Sequence, residues 1–188
     1  MTLTGTRLAR SEPGRVSGRR RGLAVAFVVA LIFGGVGVAA PAGATYQGSL
    51  CNGLGTWRLK PWSYNSTWQT PMNNARATWN SSSKLNIILD SSVASTVTAA
   101  SYSADWYGYY TYYSTGVRTI QLNSRTISRD ATNVTNWIRS TFAHELGHGF
   151  CLADNPSTSS ASLMKHSRNR STVYVPQTYD WTDINNHF

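Results

Sequence analysis

The chain has 188 residues, with 17 lysines and arginines against 8 aspartates and glutamates, a formal charge of +9 and two cysteines. That length suits one domain with a real core, and 41% hydrophobic with 12% aromatic residues excludes a disordered tail, a collagen, a coiled coil and a disulfide miniprotein. The charge alone suggests an anionic partner. However, six of the basic residues, Arg7, Arg10, Arg15, Arg19, Arg20 and Arg21, precede an apolar run and do not belong to the working protein.

That run, residues 23–40, carries no charge and is followed by Pro41 and Ala42-Gly43-Ala44. A positive segment, an apolar segment and small residues at the cut are the order of a secretory signal, with cleavage expected after Ala44. A membrane anchor is the competing reading, because about 18 apolar residues is the lower limit for a span. The glycine- and alanine-rich end and the A-x-A site favour cleavage, which leaves no stable membrane anchor. The arginine pair leaves twin-arginine export open. Removing residues 1–44 takes six from the 17 basic residues and Glu12 from the 8 acidic ones, leaving 11 against 7, about +4. A nucleic-acid partner therefore loses its support, and a secreted, extracellular domain over residues 45–188 is expected. Both cysteines, Cys51 and Cys151, survive, and in an exported chain two cysteines most simply form one disulfide.

Along the mature chain, Met72, Ala75 and Trp79 lie on one face of a short helix after Pro71. Residues 84–90 read as a buried strand, and residues 94–121 as Thr-, Tyr- and Val-rich strands, two of them joined by a turn at Ser114-Thr115-Gly116. The spacing predicts a long helix over residues 133–150, capped by Asp130, Thr132 or Asn133, and a terminal helix over residues 180–187, capped by Asp180 or Thr178. The fold class is thus α+β.

The long helix carries His144-Glu145-Leu146-Gly147-His148. Residues four apart differ by about 40° round a helix, so both imidazoles face one ion. Glu145, about 100° round from His144, reaches a water on that ion without ligating it. The pattern suits metal-assisted hydrolysis, and zinc is the natural ion, taking imidazole and carboxylate with one place open for water. Glu145 is also the one glutamate of the mature chain. A third ligand must therefore come from Asp154, His166, Asp180, Asp183 or His187. Asp154, six residues after His148, returns to the ion if the chain turns sharply.

The run from His144 to Asp154 resembles the extended zinc motif of the metzincin endopeptidases, in its aspartate form like the small snapalysin-type secreted proteases. Further along, the chain looks like bacterial matrixin relatives. Ser162-Leu163-Met164 resembles the family's Met-turn. The resemblance covers roughly residues 57–188. It implies a twisted sheet, an active-site helix and a small C-terminal subdomain with the Met-turn and terminal helix. The activity it implies is zinc-dependent endopeptidase, with one catalytic Zn2+ on His144, His148 and Asp154, Glu145 as general base and Met164 beneath the metal. A polypeptide substrate would lie along an edge strand at residues 119–123, beside an S1′ loop at residues 165–176 containing Lys165, Arg168 and Arg170. The family's turn glycine is Cys151 here. A bridge from Cys51 to Cys151 would hold that turn against backbone strain; the alternative for Cys51 is a thiolate capping the zinc in a latent form. His166 stands where some metzincins place a zinc-binding tyrosine, but beside Lys165 and Arg168 it is expected to face solvent. No acidic loop of the calcium-binding kind stands out, and a monomer is expected.

A rival reading rests on Trp106-Tyr107-Gly108-Tyr109-Tyr110-Thr111-Tyr112-Tyr113. Such aromatics stack on sugar rings, which points to a secreted cell-surface or glycan-binding module whose zinc site is structural or degenerate. The plainer account of the same run is a tyrosine-rich strand, since tyrosine favours strands.

Overall fold

The computed structural model describes residues 8–11, 51 and 55–188. The apolar run at residues 23–40 and the expected cleavage after Ala44 lie outside the described residues. Among the described residues no helix is long and apolar enough to cross a membrane.

The order is β1 (Leu8–Ser11), β2 (Thr56–Leu59), α1 (Ser66–Trp79), β3 (Asn86–Leu89), β4 (Thr96–Ala100), β5 (Gly108–Tyr112), β6 (Arg118–Asn123), α2 (Ser124–Asp130), α3 (Val134–Gly149) and α4 (Thr178–His187). The arrangement is α+β, with two small sheets and four helices among the described residues. α1 buries the expected face, Met72, Ala75 and Trp79. It begins before Pro71, because the Asn65 carbonyl already accepts from the Trp68 and Gln69 amides. In α3 the Asn133 side chain accepts from the Asn136 amide, a regular N-cap. α4 is capped by Gln177 rather than by Thr178 or Asp180. Asp180 is instead the third helical residue, and its carboxylate reaches back to the Gln177 amide in a capping box. The sequence pattern gives no expectation of strands β1 and β2 or helix α2, since each is short and lacks a clear period; β1 lies within residues 1–44, the expected signal segment, and pairs with β5.

One sheet has the order β1-β5-β6-β4 and the other pairs β2 with β3 in parallel. β5 and β6 form the expected hairpin, turning through Gly116 at φ 80°. Residues 119–123 are not an edge. β6 is bonded on one side to β4 in parallel and on the other to β5 antiparallel, so its backbone groups are already spent within the sheet. The expectation of a substrate strand beside residues 119–123 is corrected accordingly.

Strand alternation divides this sheet. Val97, Tyr110, Ile120 and Leu122 are buried on the side that meets α3, whereas Thr98, Tyr109 and Gln121 occupy one cross-strand row on the other. Aromatic edges fill the space between sheet and helices. Trp57 meets Tyr110 and Phe150 at 6.2 and 6.1 Å, and Trp62 meets Phe142 at 5.3 Å. The Trp79 indole also donates to the Ala143 carbonyl at 2.9 Å, fastening α1 to α3 one residue before His144.

α3 ends in a Schellman turn: the Leu152 amide donates to the Gly147 carbonyl and the Cys151 amide to that of His148. Such a turn needs a left-handed residue, usually glycine, and Cys151 fills the position at φ 72°. Its sulfur is bonded to Cys51 across a sequence separation of 100. Replacing both cysteines by serine is expected to lower unfolding free energy by about 4 kcal/mol. The pair Cys51→Ser with Cys151→Gly should recover about 1 kcal/mol of that, because glycine carries no left-handed penalty. Denaturant melts of the two double variants measure the difference.

Candidate functional site

His144 and His148, each 1% exposed, stand one turn apart on α3 with ring centroids 4.7 Å apart. Their Nδ1 atoms face carbonyl oxygens, His144 that of Leu163 at 2.9 Å and His148 that of Leu152 at 2.8 Å. A carbonyl only accepts, so Nδ1 carries the proton in each ring and Nε2 presents a lone pair. Carbonyl anchoring of this kind is the usual support for metal-binding imidazoles.

The Schellman turn then sends the chain back. Leu152 supplies the carbonyl for His148, and Asp154 arrives with Oδ1 at 3.1 Å from His144 Nε2 and 3.3 Å from His148 Nε2. The ligand atoms of these three residues lie within 4.8 Å of one another. Two lone-pair nitrogens and a carboxylate oxygen this close repel one another, and two imidazoles with one carboxylate would fit a zinc ion with one position open. Of the other candidates, Asp180 and Asp183 are buried on α4 outside this cluster. His187 lies beside the Cys51–Cys151 sulfurs, which the disulfide has already consumed. The disulfide likewise removes the alternative of a Cys51 thiolate on the metal.

Glu145, 1% exposed, packs against the first residue of β5. A Cβ at Gly108 would sit 2.3 Å from Glu145 Oε1, so glycine is needed for the carboxylate to lie there. Met164 lies against α3 at Gly147, its sulfur 2.7 Å from where a Gly147 Cβ would be. Beneath it, Asp180 accepts from Ser162 Oγ at 2.6 Å, from the Leu163 amide at 2.8 Å and from the Gln177 amide at 2.7 Å. Burial pushes the Asp180 carboxyl up, opposed by these same hydrogen bonds.

His166 does not face solvent as expected. Its Nε2 is buried, 2.9 Å from Asp154 Oδ1. The basic loop is not a solvated surface either. Arg168 and Arg170 are 8% and 6% exposed: Arg168 Nε donates to Ser140 Oγ at 3.0 Å, and Arg170 lies over the rings of Tyr107 and Trp137 at 4.7 and 5.5 Å. Both arginines fasten the loop to the helix side of the fold. Their spacing in the sequence carries no sign of this, since the partners are remote residues.

A second surface lies on the opposite side of the sheet. Half-buried Tyr102, Trp106 and Tyr109 form a ladder of rings, 4.8 Å from the first to the second and 5.5 Å from the second to the third, the latter pair stacked within 21°. The Tyr102 hydroxyl meets Gln121 Nε2 at 3.2 Å and Thr98 Oγ1 at 3.0 Å, so the rings continue into the Thr98–Gln121–Tyr109 row. Exposed Arg125 and Arg129 share Asp105 at 3.2 Å each and put charged groups at its rim.

No protein-family model matches the chain, and no curated protein matches it. A solved structure described as the GM1-bound form of the ECX AB5 holotoxin is similar in fold, with a TM-score of 0.52 at 12% identity, covering 74% of this chain and 80% of that one. At that identity the likeness is one of fold. Identification with the metzincins, and the zinc endopeptidase activity that came with it, are corrected on this finding: the match is to a toxin assembly, and no peptidase family answers. The physical reason is that His-Glu-x-x-His needs only one helical turn. It fixes where two imidazoles point, and neither the surrounding chain nor the reaction follows from that.

Asp180→Ala would leave buried donors on Ser162, Leu163 and Gln177 unpaired, and a loss of about 3 kcal/mol is expected by denaturant melt. Because Leu163 also holds the His144 ring, the same variant should weaken any zinc binding at this group about tenfold, read by chelator competition.

Proposed function

We propose that the chain is an exported zinc-containing module that binds a glycan or glycan-bearing surface through the Tyr102–Trp106–Tyr109 ladder. The observation that carries this reading is the ladder itself. Three aromatic rings that a folded chain leaves half open, continuous with Gln121 and Thr98 and rimmed by Asp105, Arg125 and Arg129, combine a flat apolar face with hydrogen-bonding groups around it. Sugars need both, since their C–H faces stack on rings and their hydroxyls demand polar partners. The fold likeness to a GM1-bound holotoxin is compatible with this reading.

A zinc ion would be held by His144, His148 and Asp154, where it would tie the reversed chain after α3 back to that helix. Such an ion would also acidify a water in its open position. Glu145, buried against Gly108 of β5, is the carboxylate next along the helix. This residue gives the sharpest counter-test.

Binding of the exported chain to GM1-containing vesicles, GM1-free vesicles and isolated cell-wall polysaccharide is expected on at least one glycan-bearing surface. Trp106→Ala should weaken it about tenfold, roughly 1.4 kcal/mol, without changing zinc content. Casein or gelatin hydrolysis that a zinc chelator blocks and Glu145→Gln abolishes, with no retention on any glycan, would overturn the binding-module reading.

A further inference from the structure

His166 is one of four histidines in the chain, and the zinc reading above uses two of them. Asn155 holds His166 at two points, the backbone amide and the ring. The His166 backbone amide donates to Asn155 Oδ1 at 2.8 Å, which fixes that end of the side-chain amide as oxygen and turns Asn155 Nδ2 towards His166 Nδ1 at 3.2 Å. Asn155 is itself held at φ 49°, with its backbone amide on the Met164 carbonyl at 2.9 Å. An amide nitrogen only donates, so Nδ1 of His166 must accept, and the ring proton sits on Nε2. This is the tautomer opposite to that of His144 and His148, whose Nδ1 atoms face carbonyls.

A protonated Nε2 does not ligate a metal. It is buried, no hydrogen bond of good geometry ends on it, and the oxygen it faces at 2.9 Å is Asp154 Oδ1. His144, His148 and Asp154 form the compact ligand group, with His166 outside it. We propose that His166 is a positioning residue which, with its tautomer set by Asn155, donates Nε2–H to the Asp154 carboxylate and aims that carboxylate at the zinc. A slight ring rotation completes the bond. The residue thus does for the aspartate what the Leu163 and Leu152 carbonyls do for the two histidines, so each of the three ligands has its own orienting partner.

The inference rests on the zinc reading of His144, His148 and Asp154, and the experiment separates the two. Zinc affinity is measured by chelator competition, and cobalt(II) substitution reports ligand geometry by its visible absorption. Melts in excess chelator check that each variant folds. His166→Ala is expected to weaken zinc binding 10- to 100-fold while the metal-free melt stays near that of the parent. His166→Gln, whose amide places an N–H where Nε2–H was, is expected to recover most of the affinity and to keep the parent cobalt spectrum. If Ala and Gln variants are equally weak and share a changed cobalt spectrum, His166 is a ligand and the inference is overturned. If Ala binds zinc as the parent does, it is overturned as well. If the parent binds no zinc, the site reading fails and takes the inference with it.

Discussion

The chain reversal at the end of α3 is the constraint on which the rest of the site depends. Gly147 and His148 offer their carbonyls to Leu152 and Cys151, and this requires a left-handed residue between helix and loop. A cysteine there costs roughly 1 to 2 kcal/mol in backbone conformation, which the bridge to Cys51 offsets by limiting the freedom of the unfolded chain. Within four residues the reversed chain supplies the Leu152 carbonyl that orients His148 and the Asp154 carboxylate that faces both imidazoles. Without the turn, the helix would hold two histidines with nothing opposite them.

A second support comes from the C-terminal end. Asp180 serves two structures at once: as third residue of α4 it closes the capping box, and as a buried acceptor it binds Ser162 and Leu163. Leu163 passes that order to His144 through its carbonyl, and the adjacent Met164 fills the space beside Gly147. The His144–His148–Asp154 group is thus braced from α3, from the reversed chain and from α4. Such bracing is what a site needs if its ligands are to be in place before the ion arrives, because each rotamer already fixed removes an entropic cost from binding.

The two faces of the β4–β6–β5 layer have separate uses. Tyr110 and His148 approach on the helix side with ring centroids 5.8 Å apart, while Tyr109, the next residue back, stacks with Trp106 on the other. The aromatic run that reads as one block in the sequence is therefore divided by the strand's period of two. Half of it is core beside the His144–His148–Asp154 group and half is surface. The tyrosine-rich core strand and the aromatic ladder proposed to meet a glycan thus lie on opposite sides of one strand.

Local pattern carried a good deal of this protein. The helical face of Met72, Ala75 and Trp79, the Asn133 cap, the turn at Gly116, and the placement of His144 and His148 on one side of α3 all follow from interactions within a few residues. Those interactions are the same in any fold. The pairing of Cys51 with Cys151 was legible too, because two cysteines in an exported chain leave one choice. What the sequence left undetermined depends on distant partners. Residues 119–123 became interior because β4 and β5 flank them, Arg168 and Arg170 were buried by Ser140, Tyr107 and Trp137, and His166 was drawn in by Asn155 and Asp154. The zinc-type motif illustrates the same division. One helical turn determines by itself that two imidazoles face the same way, whereas the third ligand, its supports and the surface available to a partner arise only when segments far apart in the chain are packed together.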